Sequence, residues 1–201
     1  MVAACVDTDS GPPDSDSWNI KGWPIINGVP DTDPDHMAVA ALQMVKDGEV
    51  TRCSGTLISP TVVLTAAHCI YGGMDEIYVG FGSTYGGIDD WFNAIDTEIH
   101  WGYNTVKNVN DLALVRLDGI PEGIAPIPHL PANLEVSSTE QGSLSLQFVG
   151  FGQTETGSSG TKLTVSNIMD RVCEQSYGCS WYYGWYSGDP APDTICYDHQ
   201  P

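Results

Sequence analysis

The chain has 201 residues, 41% of them hydrophobic, enough for one globular domain with its own core and too apolar for a disordered chain. Twenty-six acidic residues against seven basic ones give a formal charge of −19, and such a surface repels phosphate backbones and anionic headgroups, which argues against nucleic acid as a partner. No uninterrupted apolar run is long enough to span a bilayer.

Residues 1–24 read as an acidic leader, propeptide or tether. Asp7, Asp9, Asp14 and Asp16 mix there with Ser, Gly and Pro, and little could be buried. Neither a basic region nor an apolar run precedes Cys5, so a whole signal peptide is not seen. Val2-Ala3-Ala4-Cys5 is similar to the lipobox that ends a bacterial lipoprotein signal, with Cys5 as the lipidated residue. On that reading Cys5 carries a lipid anchor and the start lies upstream of Met1. The plainer reading is a disulfide-bonded or unpaired cysteine.

At Ile25-Ile26-Asn27-Gly28 the character changes. Short apolar runs broken by turn residues occupy 37–45, 54–58, 62–66, 77–81 and 112–117. β-Branched and aromatic residues recur in them, and 22 glycines and 13 prolines punctuate the chain, which predicts many short strands. Pro121, Pro126, Pro128 and Pro131 exclude a central strand or a helix, so 121–141 reads as a connector. Strand-like runs resume at 144–151 and 163–168. The aromatic stretch Trp181-Tyr182-Tyr183-Gly184-Trp185-Tyr186 has no clean period and reads as a loop insertion or a core strand.

The six cysteines are Cys5, Cys53, Cys69, Cys173, Cys179 and Cys196. None forms a Cys-x-x-Cys pair, and no histidines stand at zinc-ligand spacing around them, so disulfides in an oxidising compartment are expected.

Chemistry concentrates in Leu64-Thr65-Ala66-Ala67-His68-Cys69 and in Asn110-Asp111-Leu112-Ala113-Leu114. A histidine near neutral pKa takes a proton from a hydroxyl and returns it to a leaving group. A carboxylate on its other nitrogen fixes the tautomer and stabilises the imidazolium. His68 and Asp111, each at the edge of a predicted strand, suit those roles. His36, His100, His129 and His199 lack any motif and read as surface or packing residues.

With Ser54-Gly55-Thr56-Leu57-Ile58 before the histidine block and Val149-Gly150-Phe151-Gly152 later, these segments resemble the trypsin/chymotrypsin family of serine peptidases from Ile25 to about Cys196. The resemblance implies an all-β fold of two antiparallel β-barrels with a cleft between them. The first barrel would occupy about 25–120 and a partial second one 142–201. It implies His68 as base, Asp111 as its orienter, a Cys53–Cys69 disulfide, Cys173 paired with Cys196, and Phe151 where tryptophan is commoner. It also implies that Ile25 is a mature N-terminus released by cleavage, although Pro24 precedes it where Arg or Lys is usual. The alternative is a simple turn into the first strand.

The nucleophile motif Gly-Asp-Ser-Gly-Gly-Pro does not occur. Gly157-Ser158-Ser159-Gly160 lies in the wrong place and Ser187-Gly188-Asp189-Pro190 has the wrong order. The 201 residues, less the leader, also fall short of the about 200–250 of a complete two-barrel domain. The expectation is therefore a secreted or cell-envelope serine endopeptidase acting on protein or peptide substrates, monomeric, with this chain lacking the serine and inert alone. A non-catalytic homologue that serves as a binding module, through the cleft or the aromatic loop, is the alternative. No cofactor is expected. Some relatives hold calcium in an acidic loop, and Asp75, Glu76, Asp89 and Asp90 lie in that stretch, but their spacing reads better as solvated surface acids.

Overall fold

The computed structural model describes residues 27–106, 109–129, 143–154, 157–173 and 194–197. Ten strands run in chain order: β1 (Val29–Pro30), β2 (Val39–Lys46), β3 (Glu49–Ser59), β4 (Val62–Thr65), β5 (Glu76–Phe81), β6 (Trp91–Ile99), β7 (Ala113–Leu117), β8 (Ser145–Gly150), β9 (Leu163–Cys173) and β10 (Thr194–Tyr197). One short helical turn, α1 (Ala67–Ile70), follows β4.

Six strands close into a barrel in the order β2-β3-β4-β7-β6-β5. Every pairing in it is antiparallel. Asp47 (φ 53°) and Gly48 (φ 79°) turn β2 into β3 with Lys46 opposite Glu49. Two successive left-handed residues suit a tight hairpin, because their twist matches that of the strands they join.

Alternation builds the core. In β7 the residues Ala113, Val115 and Leu117 point inward while Leu114 and Arg116 do not; in β4 Val63 and Thr65 do the same. They meet Leu42, Met44, Leu57 and Val79, all almost fully buried. Burying each such side chain contributes about 1.5–3 kcal/mol. Gly55 makes the packing possible: a Cβ there would stand 2.6 Å from Val63 Cγ1 and 2.8 Å from Leu42 Cδ1.

β2 is buried almost along its whole length, because it serves two cores. Ala40, Leu42 and Met44 face the barrel interior, while Val39 and Ala41 pack with Ile88 and Phe151 outside it. Phe151, at the position where the resemblance implies tryptophan, is buried, and its backbone N–H donates to Ser54 Oγ at 2.8 Å. Tyr85 sits edge-on to the Phe151 ring and its hydroxyl donates to the Leu42 carbonyl at 2.8 Å, with the Cys53 carbonyl at 3.0 Å. Burial pushes that phenol up to about 12.

The second sheet is open among the described residues. β9 pairs with β1, β8 and β10, all antiparallel. The fold is thus nearly all β, with one closed six-stranded barrel and a partial second sheet. Val29 and Pro30, which sequence position assigns to the first barrel, pair instead with Thr164 and Leu163 of the second sheet.

A buried ionic cluster secures that crossing. Asp31 donates its N–H to the Lys162 carbonyl at 2.9 Å. Its carboxylate, 1% exposed, stands 2.7 Å from His36 Nδ1 and 3.6 Å from Lys162 Nζ. Lys162 Nζ donates to the His36 carbonyl at 3.1 Å, and His36 Nε2 lies 3.2 Å from Gln147 Oε1 on β8. Among the described residues no helix is long and apolar enough to cross a membrane.

Candidate active site

The register of β4 on β7 sets the site. Thr65 stands opposite Ala113. In an antiparallel pair the residues that follow Thr65 continue beside those that precede Ala113. His68 and Asp111 therefore leave the barrel at the same end. Ala66 stays extended (φ −81°, ψ 143°), and α1 then turns once, with Cys69 N–H on the Ala66 carbonyl and Tyr71 N–H on the Ala67 carbonyl. Small Ala67 is fully buried beneath the turn.

Two bonds tie the turn to β3. Cys69 forms a disulfide with Cys53, Cα–Cα 6.3 Å, and Thr65 Oγ1 donates to the Ser54 carbonyl at 2.9 Å. Asp111 is fixed from behind. Asn110 adopts a left-handed backbone (φ 54°) and its Nδ2 donates to the Gly102 carbonyl at 2.9 Å. Leu112 N–H closes a three-residue turn onto the Asn110 carbonyl at 2.8 Å, and the Leu112 carbonyl accepts from His100 N–H at 2.9 Å.

Asp111 then receives His68 twice. Its Oδ1 accepts the His68 backbone N–H at 2.8 Å, and its Oδ2 lies 2.6 Å from His68 Nδ1. The carboxylate is 15% exposed and the imidazole 48%. The hydrogen bond that His68 donates to Asp111 raises the His68 pKa above its ordinary value, against the opposing effect of burial. Burial alone would raise the Asp111 carboxyl, but the hydrogen bonds from the His68 ring and backbone and from the Ala67 backbone outweigh it and hold the group below its ordinary value. An ionised carboxylate only accepts. The neutral imidazole therefore carries its proton on Nδ1 and keeps its lone pair on Nε2, the tautomer a general base needs.

Several residues of this neighbourhood carry no motif and escape a sequence reading. Tyr71 and Tyr103 meet edge-on, ring centroids 5.3 Å apart, beside α1. Burial, then Asp111 and Tyr71, push the Tyr103 phenol up. Asn110 and Ser54 do lie in the segments that the sequence singles out, but their contacts with Gly102 and Thr65 appear only in the folded chain.

The remaining candidates fall elsewhere. Ile25, Cys5, Cys179 and His199 lie outside the described residues, as do 181–186 and 187–190. Cys173 and Cys196 sit on paired strands, with Thr194 opposite Cys173 and Cys196 opposite Arg171. Gly157-Ser158-Ser159-Gly160 belongs to a turn in which Thr154 N–H donates to the Ser158 carbonyl. His36 belongs to the Asp31 cluster, and His100 stacks on Trp101 and accepts from Gly102 N–H. Asp75 Oδ2 accepts the Asp47 N–H at 2.8 Å. Among the described residues, Cys53, His68 and Cys69 are the group of three or more His, Cys, Asp or Glu side chains close enough to share an ion, and Asp75, Glu76, Asp89 and Asp90 form no such group.

Comparison with known proteins bears on the family and the fold. The sequence model of the Trypsin family matches residues 25–199. Trypsin delta of Drosophila melanogaster is 27% identical over 139 residues, 67% of this chain and 53% of that protein. Trypsin of Sarcophaga bullata is 36% identical over 95 residues, 46% of this chain and 37% of that protein. The chain thus spans about half the length of the first of these relatives. Among solved structures, HL collagenase superposes with a TM-score of 0.68 at 24% identity, covering 86% of this chain and 73% of that one. A protein designated GrC gives 0.63 at 20% identity, covering 79% and 70%.

Proposed function

Because the chain belongs to the trypsin family of serine peptidases, we propose that it carries the acid–base half of a serine endopeptidase, with His68 as general base and Asp111 as the group that orients it. The observation that carries this reading is the double seat of His68 on Asp111, ring and backbone at 2.6 and 2.8 Å. One bond alone would allow the imidazole to swing. Two bonds to one carboxylate fix both the tautomer and the direction of Nε2.

The chemistry assigned to the pair is proton transfer. Nε2 takes the proton of a serine hydroxyl as that oxygen attacks the scissile carbonyl, and returns it to the leaving amine. Asp111 stays ionised and stabilises the imidazolium between the two steps. The serine and the oxyanion donors of such a site belong to the motif Gly-Asp-Ser-Gly-Gly, which these 201 residues do not contain. The 201 residues alone are therefore assigned no peptidase activity, since the base without nucleophile or oxyanion hole has nothing to act on. The protein is assigned to an oxidising, extracytoplasmic compartment, in keeping with its disulfide.

A fluorescent serine-hydrolase probe, applied to the purified chain and to any longer product of the same reading frame, tests this. The purified chain should stay unlabelled. A longer product with Gly-Asp-Ser-Gly-Gly should take up the probe, and His68→Ala should abolish the uptake. Labelling of the 201 residues themselves, or labelling indifferent to His68, overturns the reading.

A further inference from the structure

The disulfide beside the dyad holds a second chemistry. The sulfurs of Cys53 and Cys69 and a ring nitrogen of His68 all lie within 4.8 Å of one another. His68 Nε2 stands 3.6 Å from Cys69 Sγ. Around a tetrahedral zinc ion, with sulfur at about 2.3 Å and imidazole nitrogen at about 2.0–2.1 Å, those two ligands stand about 3.6 Å apart. The far nitrogen is already bonded to a carboxylate, Asp111 Oδ2, at 2.6 Å. A ligating histidine is characteristically held that way, because the carboxylate fixes the ring and raises its basicity.

We propose that reduction of the Cys53–Cys69 bridge opens a site for a thiophilic divalent cation such as Zn²⁺, bound by Cys53 Sγ, Cys69 Sγ and His68 Nε2, with Asp111 as the supporting carboxylate and water in the fourth position. The reductant is a dithiol. Its thiolate attacks the sulfur of half-buried Cys53, the partner more open than Cys69, which is 6% exposed. The S–S bond breaks, Cys69 leaves as thiolate, and the second thiol of the reductant closes its own disulfide. Two electrons pass and two protein thiols result. The cation then displaces both thiol protons to solvent.

The frame survives this change. Cys53 lies on β3 and Cys69 follows β4, and these strands pair directly, Thr56 opposite Leu64. Reduction cuts a cross-link within a closed barrel and leaves its ladders intact. The metal site stands apart from the peptidase reading. Only its consequence rests on that reading: a cation on Nε2 takes the lone pair that proton transfer needs, so a reducing, zinc-bearing environment would silence the base.

The test uses the full chain, treated with dithiol, freed of it under inert gas and titrated with Co²⁺, whose thiolate and tetrahedral bands report its ligands. The reduced chain should bind one ion with the charge-transfer intensity of two thiolates, and Zn²⁺ should displace it. The oxidised chain should not. C53S/C69S should lose the bands, whereas C5S/C173S/C179S/C196S should keep them. Asp111→Asn should weaken binding about 10–100-fold, and His68→Gln should alter the visible bands. Bands that persist in C53S/C69S or vanish in the quadruple variant overturn the site. So does a reduced chain that binds no ion or loses its near-ultraviolet circular dichroism. An unchanged affinity in Asp111→Asn removes Asp111 from it. None of these results touches the peptidase assignment, which is read by probe labelling.

Discussion

Thr65 and Ala113 face each other across the last rung of the β4–β7 ladder. That rung decides that an imidazole three residues beyond one strand meets a carboxylate two residues before the other. A register slip of one residue would turn the inward side chains of β4 outward and separate the pair. In a product that contains the serine, Asp111→Asn should lower kcat by about ten-thousand-fold, the size known for the orienting carboxylate of a Ser-His-Asp triad. Steady-state hydrolysis of a chromogenic peptide checks this. A fall carried by KM would mean that Asp111 serves binding instead.

Asn110 pays a backbone cost to aim Asp111. Asn110→Ala should lose the Nδ2 bond to Gly102 and leave a Cβ residue at φ 54° without local support. The combined cost is about 2 kcal/mol. Asn110→Gly keeps the conformation at little steric cost and should be the milder change. Urea unfolding of both variants orders them; an equal loss would show that the left-handed backbone is not what matters.

Asp31 and Lys162 are 1% and 6% exposed. Removing one partner leaves the other charged in an apolar setting, and Asp31→Leu should cost about 3–5 kcal/mol. Asp31→Leu combined with Lys162→Met should be more stable than Asp31→Leu alone, since no uncompensated charge remains. A double-mutant cycle by chemical denaturation measures the coupling, and strict additivity of the two changes would refute it.

His36 should titrate above 6.5. The hydrogen bond that His36 donates to Asp31 is the main cause, burial opposes it, and the charges of Asp31 and Asp33 and the Gln147 contact add to it. Lys162, the cation on the same carboxylate, works against the charged imidazole. A raised folded-state value means that this contribution to stability is complete below 6.5 and fades as pH climbs through the folded-state pKa. A histidine-resolved NMR titration should show the His36 resonance shifting late, and Asp31→Asn should return it toward 6.5. An unshifted midpoint in the wild type would contradict the contact.

Much of this was legible in the residues. Strands β4, β5 and β7 were visible because each alternates or carries a compact β-branched run bounded by turns. β6 was not, because Trp91–Ile99 is only partly covered and carries Asp96 and Glu98 toward water. The polar start of β3 hid for the same reason, although Asp47-Gly48 between two runs is itself a hairpin signal. His68 and Asp111 announced themselves through their flanking residues. The partners that aim them did not: Asn110 acts through a backbone angle, and Tyr71 and Tyr103 meet across 32 positions that no local pattern links. Asp31 and Lys162 are joined only by folding, as is Cys53 with the imidazole of His68.

The contacts that set the distance between His68 and Asp111 all fall between Cys53 and Ala113, inside or at the rim of one closed barrel. Among the described residues the later sheet contributes none of them. The seat of His68 on Asp111 is therefore built within one lobe, so substitutions in the described part of the other can accumulate without moving the two groups apart.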